Sequence, residues 1–423
     1  MKLPSTIRKH CLCTSVCLLA LAAACAQEDA TLRPGDNDHR TLQEALLTAE
    51  PGAVIELAAG RFELDATLSL DVEGVTLRGQ GMDETVLDFS LQAPGTGGEG
   101  ILATADDFTV ENLGVENTRG DGIKVEGTTG AAFRSVRVEW TNGPDTNNGA
   151  YGLYPVQVTN VLIEDSRVRG ASDAGIYVGQ SANVVVRRNE AWENVAGIEI
   201  ENTTGADVYG NRAHGNTGGL LVFSLPELPV KDGRDARVYD NDIVDNNLPN
   251  FGKEGAIVST IPAGSGIIVM ASDNVELFEN RIHNNQNSNL AVISYLSTGR
   301  TYNDPGYDPY TEGVYIHDNE FIGGGESPNG DFADAFVALA GGAFPDIVWD
   351  GVSNPDKLVE GEVPAGLRLY IENNGDADFV NLDLGSVFAG GDPNVSTDLA
   401  AHQGALPAVP QPVDLGAATG GAP

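Results

Sequence analysis

The chain is poor in several things that usually announce chemistry. No cysteine follows residue 25: the four are Cys11, Cys13, Cys17 and Cys25. The body therefore holds no disulfide and no thiolate metal site. With 3 Met and no body cysteine, soft-metal delivery in a periplasm has few ligands to work with. Positive charge is scarce as well. The 24 Lys+Arg stand against 61 Asp+Glu, a formal net charge of −37. Such a chain repels phosphate backbones, which argues against nucleic-acid partners. No P-loop, HExxH or Ser/His/Asp spacing occurs, and Gly323–Gly325 reads as a loop with no helix pattern after it. His214, His283 and His317 fall in different registers, which argues against a shared metal site.

What is present begins with an address. Lys2, Arg8, Lys9 and His10 precede an apolar run from Val16 to Ala24 that ends in small residues. Residues 1–26 read as a signal peptide, too short to span a bilayer as a stable helix, and 27–40 as a linker. Cleavage before Cys25 would leave that thiol to carry lipid; cleavage after Ala26 would leave a soluble form. The expected location is therefore the outer membrane as a lipoprotein, or the periplasm or medium. Membrane contact is expected only through the lipid anchor. Loss of the leader leaves 21 basic against 61 acidic residues, a formal −40. Those acids suit a solvated surface, and some can bind Ca²⁺.

Glycine is abundant, 52 of 423 residues, and it is periodic. A Gly-aliphatic step recurs at Gly100, Gly122, Gly152, Gly175, Gly197, Gly219 and Gly266, mostly about 22 residues apart. A second short strand follows most steps, and then a turn Asn: Asn189, Asn211, Asn241, Asn280, Asn319. A unit this short has room for two or three strands and no helix, and it cannot bury its own apolar face. Stacked units can, about 4.8 Å apart, with corner Asn residues forming a hydrogen-bonded ladder. The pattern predicts an all-β, right-handed parallel β-helix over 41–330, with nine to eleven coils. Ile123, Leu153, Ile176, Ile198, Leu220 and Ile267 should share one interior column. Thr41 to Ala49 predicts a short N-terminal capping helix, with Thr41 as N-cap and Glu44 three residues on. Residues 331–385 should add strands that cap the far end, and 386–423 should be a mobile tail.

Pro51–Leu57, Gly60–Leu64 and Gly74–Gly81 resemble the opening of pectin-lyase-like β-helix proteins. Gly152–Gln157, Ala171–Gln180, Ala196–Asn202 and Leu228–Lys231 resemble, more narrowly, a bacterial exported family of tandem parallel β-helix repeats. The resemblance covers about residues 40–350. It implies a right-handed β-helix, export, often as a lipoprotein, and frequently a co-encoded exported partner. It implies no established activity. The wider superfamily includes polysaccharide lyases, C5-epimerases, glycoside hydrolases and a periplasmic copper-delivery protein, and fold alone does not choose among them.

Strand alternation turns one side chain per strand outward. Lys124, Tyr154, Tyr177, Glu199, Leu221, Ile268 and Ala291 should form one outward column, polar at its Lys124 end. Insertions at 142–150, 225–234, 248–265 and 297–312 flank that column and would wall a groove over it. Lys124, Tyr177 and Glu199 are the candidate catalytic set, supplying charge neutralisation, acid and base. Asp121, Tyr154, Asp173, Gln180, Tyr307 and Tyr310 are candidate binding residues. Tyrosine faces stack on sugars, and Asp121 and Asp173 can hold Ca²⁺ or act as a base. The reading is an exported envelope protein that binds or processes a carbohydrate, a neutral glycan more readily than a polyuronate. The alternative is a non-catalytic scaffold, docking a co-exported protein on the apolar end of the column at Leu221, Phe223, Ile268 and Met270. The address yields one test: labelled palmitate should enter the wild type and be lost in Cys25→Ser. A mature N-terminus at Gln27, found by mass spectrometry, would establish the soluble form instead.

Overall fold

The computed structural model describes residues 31–95, 98–330, 333–340, 342–413 and 415. Cys25 and the leader lie outside the described residues. From Val54 the chain winds into a right-handed parallel β-helix. Its Gly-aliphatic strands form an 11-stranded sheet, and the following strands bend into a 19-stranded sheet that closes the coil. Ile101, Ile123, Leu153, Ile176, Ile198, Leu220, Ile267 and Leu290 are register partners in sequence. All are fully buried in the lumen, so the six expected residues do share one column. Each such aliphatic contributes about 1.5–3 kcal/mol by burial.

The corners are built by a two-residue device. Arg188, Gly210, Asp240, Glu279, Asp318 and Asn373 all adopt left-handed backbone, with φ between 50° and 65°. The next residue in each case is an inward Asn: Asn189, Asn211, Asn241, Asn280, Asn319 and Asn374. Each of the first five donates its backbone N–H and its side-chain amide to the Oδ1 of the next Asn. A second ladder, unforeseen, runs through Asn194, Asn216, Asn246 and Asn285 by the same rule. Its preceding residues, Glu193, Gly215, Asp245 and Asn284, are left-handed too.

The N-terminal cap starts earlier than expected, while the strands expected within 331–385 are present. The capping helix is Asp38–Leu47, so it starts inside the supposed linker, and Thr41 lies within it. Asp38 sets the start: its carboxylate accepts from Gly35 N at 2.6 Å and from Glu63 N at 2.9 Å, tying the helix to the first coil. Leu42 and Leu46 then join the lumen core, as a cap requires. At the other end Ile347–Trp349, Tyr370–Glu372 and Phe379–Asn381 continue the parallel ladders, so the coil runs past 330 to 381. A helix, Ala333–Ala340, is inserted there. Of the segment expected as a mobile tail, 386–423, the described residues near its end, Val409, Val413 and Leu415, lie back against the outside of the 19-stranded sheet. Val409 N donates to Glu276 Oε2 at 3.2 Å and Val413 N to Asn183 Oδ1 at 2.6 Å. Leu415 packs on Ala132, Leu162 and Val185, an outward apolar strip that needs a cover.

Asn241→Ala should be costly. It orphans the Asn211 amide groups and the Val208 carbonyl in a dry corner. Each orphaned group costs about 1–3 kcal/mol, so a loss of roughly 3 kcal/mol or more is expected in denaturant unfolding. A loss near zero would mean that water enters the corner and that the ladder is not needed.

Candidate functional site

The outward column has the expected register. Lys124 pairs with Tyr154, Tyr177 with Glu199, Glu199 with Leu221, Leu221 with Ile268, and Ile268 with Ala291. Outward from the lumen does not mean exposed, however. Tyr177 is 4% exposed and Glu199 3%. The inserted loops close over the middle of the column and make a second core with it, holding Tyr177, Leu221, Phe223, Val258, Ile261, Ile268, Met270, Tyr295 and Tyr307. The face expected as a docking surface is thus covered by the protein's own loops. The open groove is corrected to a short site at the polar end. Its cause is the apolar character of the column beyond Glu199, which a wet groove would leave unburied.

Three tyrosines meet at the open end. The Tyr151 ring centroid lies 4.4 Å from Tyr154 and 4.5 Å from Tyr177, and Tyr154 meets Tyr177 edge-on at 5.1 Å. Tyr151, Tyr154, Lys124, Asp121 and Asp173 are partly exposed and form the mouth. Tyr177, Glu199 and Glu201 form the floor. The Tyr177 hydroxyl donates to Glu201 Oε1 at 2.5 Å. Asp121 Oδ1 accepts from Tyr151 N at 3.1 Å, fixing the corner before the strand. The Lys124 ammonium sits 2.8 Å from Glu126 Oε2 and 5.4 Å from the Tyr154 ring centre. Glu199 Oε2 is buried and has no hydrogen-bond partner.

The electrostatics follow from burying acids together. Burial, with Glu99 nearby, pushes Asp121 up to about 6. Burial, with Glu201 and Asp121 beside it, pushes Asp173 up to about 7. Glu201 rises to about 7, chiefly through burial. Glu199 goes well above the carboxylate range through burial, then Asp173 and Glu201. Like charges sharing a dry site cannot all ionise, and such a group serves as general acid or base near neutral pH.

The remaining candidates lie elsewhere. Gln180 is at the corner after the strand, bonded to Gln157 at 3.3 Å. Tyr307 is buried in a three-tyrosine knot with Tyr295 and Tyr302, and its hydroxyl donates to Ser224 O at 2.6 Å. Tyr310 packs on the C-terminal cluster around Val348 and Leu382. Asp121 and Asp173 do not gather a third ligand. Among the described residues, the carboxylates whose oxygens converge within 4.8 Å are Asp273, Asp308 and Glu312. There the Lys357 ammonium bonds Glu312 and, at 2.8 Å, Asp308. An ammonium thus already stands where a cation would bind. Glu201 and Tyr151 were missed. Glu201 had a signal: it lies two residues after Glu199, hence on the same strand face.

Residues 99–232 match the family profile described as right handed beta helix region. A search of curated proteins returns no match. Among solved structures, the chain is similar to the A-module of the mannuronan C-5 epimerase AlgE4 from Azotobacter vinelandii. The identity is 17%, over 81% of this chain and 92% of that one, with a TM-score of 0.52. The AlgE6 A-module of the same organism gives 16% identity, 80% and 89% coverage, and a TM-score of 0.48. An alginate lyase from Paenibacillus sp. str. FPU-7 gives 14%, 67% and 93%, and 0.41. The first likeness is one of fold. The protein is a right-handed parallel β-helix. Its distinguishing feature is a tyrosine-rimmed cluster of buried acids on the outside of the 11-stranded sheet.

The raised acids make stability pH-dependent. Asp173 and Glu201 bind protons more tightly folded than unfolded, so their contribution is full below about pH 4 and is lost as pH rises towards about 7. Glu201→Gln removes that dependence. Its melting temperature relative to wild type should therefore be higher at pH 8 than at pH 5. A gap that does not widen with pH would show that Glu201 is not buried as a strained acid.

Proposed function

We propose that the protein binds or processes a carbohydrate at the Tyr151–Tyr154–Tyr177 site. The observation that carries the reading is the meeting of three tyrosine rings within about 5 Å of one another, two of them at a partly exposed mouth, with carboxyl groups tuned towards neutral pH. Aromatic faces take sugar rings by stacking, and Asp173 at the mouth is the group best placed to accept or donate a proton. Tyr177 and Glu199, expected as catalytic groups, act from behind: Tyr177 holds Glu201, and Glu199 adds charge to the floor. Lys124 neutralises charge at the rim. The similar A-module is named for an epimerase of mannuronan, a polysaccharide, which is consistent with a carbohydrate ligand on this fold. A polyuronate suits this chain poorly, because a net charge of −37 and four acids at the site repel it. The leader-like first 26 residues support export, anchored through Cys25 or soluble.

Tyr154→Ala tests the reading. A glycan array with the mature protein, run with and without Ca²⁺, should show hits that Tyr154→Ala weakens several-fold, on the order of 1 kcal/mol per stacked ring. Its melting temperature should stay near that of the wild type, because Tyr154 is at the mouth and not in the floor. Hits unaffected by the substitution would place binding elsewhere on the coil. An array without hits would defeat the carbohydrate reading.

A further inference from the structure

We infer that the sugar this site takes is cationic, a glycan bearing free amino groups such as an unacetylated hexosamine. The inference rests on the carbohydrate reading above and narrows its ligand class. Its ground is an imbalance of charge in space. Most of the ion-paired arginines among the described residues lie on the 19-stranded sheet and its corners. Arg61 bonds Asp88 and Glu116, Arg137 bonds Glu116 and Glu139, and Arg187 bonds Glu164. Among the described residues, no ion pair reaches Asp121, Asp173, Glu199 or Glu201. Lys124, the nearest cation, has its ammonium on Glu126.

A second observation is independent of that count. Glu199 is 3% exposed, and its Oε2 has no donor. Strand register places this atom's side chain between Tyr177 and the apolar column, facing the cluster. A buried polar atom without a partner is uncommon and costly, and it marks a place for a missing donor. Tyr177 already spends its hydroxyl on Glu201. What the cluster lacks is both a donor and a positive charge. A sugar hydroxyl supplies only the first. An alkylammonium supplies both, with three donors on one atom. The three aromatic rings add cation–π attraction at the mouth. A bare divalent ion fits less well, since these carboxylate oxygens do not converge as those of Asp273, Asp308 and Glu312 do. Over longer range, the strongly negative chain draws in a polycationic glycan and turns away an anionic one.

The test is calorimetry on the mature full chain at pH 7 with Ca²⁺ alone and with three sugar probes of equal length: a β-1,4-linked glucosamine tetramer, its fully N-acetylated counterpart and a tetrauronate. The glucosamine tetramer should bind at least about tenfold tighter than the acetylated one, and the tetrauronate should not bind. Added salt should weaken the glucosamine tetramer more than the acetylated one. Glu199→Gln and, separately, Asp173→Asn should bring the two tetramers to within about twofold of each other; both substitutions keep the side-chain shape. Equal binding of the two tetramers to wild type overturns the cationic ligand and leaves the carbohydrate reading standing. Preference for the amino form that survives both substitutions also overturns it, because the charge then acts from outside this cluster. Tight binding of Ca²⁺ with no binding of any tetramer overturns both readings in favour of a metal site, and no binding at all overturns both.

Discussion

The structure depends on one repeated corner. A residue in left-handed backbone turns the chain, and the Asn after it points inward and bonds to the Asn one coil above. For a non-glycine residue the left-handed turn costs roughly 1–2 kcal/mol. Only Gly210 and Gly215 avoid that cost along the two ladders. The Asn side chain offsets it by satisfying backbone and amide groups that would otherwise be stranded where strands stop pairing. Because the amide reaches both neighbours, each corner fixes its position over the next. Register on the flat strands follows from register at the corners. An insertion must therefore leave and re-enter between corners, which is why the long loops lie beside the 11-stranded sheet and do not interrupt the ladders.

That register decides where charge can go. On the 19-stranded sheet, acids and arginines of successive coils alternate closely enough to bond. Arg61, Glu116, Arg137, Glu139, Arg169 and Glu193 form one continuous chain of ion pairs. Such pairs, partly exposed at Arg61 and Glu193 and largely buried at Glu116 and Arg137, contribute more as a network than singly. They also engage many of the chain's arginines on that one sheet. On the 11-stranded sheet the outward column meets aromatic and apolar side chains, so acids there have no arginine within reach. The tyrosine–acid site is thus the complement of the ion-pair ladder: one face concentrates the positive charge, and the other is left with uncompensated carboxyls.

The fold was legible because its signal is periodic. Ile176, Ile198 and Leu220 recur at the repeat length and each occupies the same place, so the lumen column and the outward column could both be written from spacing. The first Asn ladder was legible for the same reason. The second was not, because Asn194 and Asn216 sit just before the Gly-aliphatic step and looked like part of it. The capping helix was placed three residues late, because Asp38 begins it through a bond to Glu63, a contact 25 residues away. Burial of the column was missed for a different reason. Alternation tells which side of the coil a side chain leaves from. It says nothing of what the loops do afterwards, and Tyr177 left the lumen only to enter a second core. Glu201 stood in plain view beside Glu199, but two acids on one strand face read as solvated until the loops above them are known.

The site's position then has a physical reading. Four acids could have been placed anywhere on a coil with dozens of exposed outward positions, at almost no cost. Here two lie in the floor and two at the mouth, beside rings, where desolvation and mutual repulsion raise all four above the ordinary carboxylate range. A structure gains nothing by this: burying an acid without a partner cation destabilises it, and an apolar residue of similar volume would serve the second core better. Leu221 and Ile268, one and two coils further on in the same column, show that the fold accepts apolar residues in this environment. Mutation that relieves such strain is easy to find and would be retained if the acids did nothing. The strain is therefore best understood as held for a ligand. The step from polar to apolar between Glu199 and Leu221 marks where that ligand's site ends and the scaffold's own packing begins.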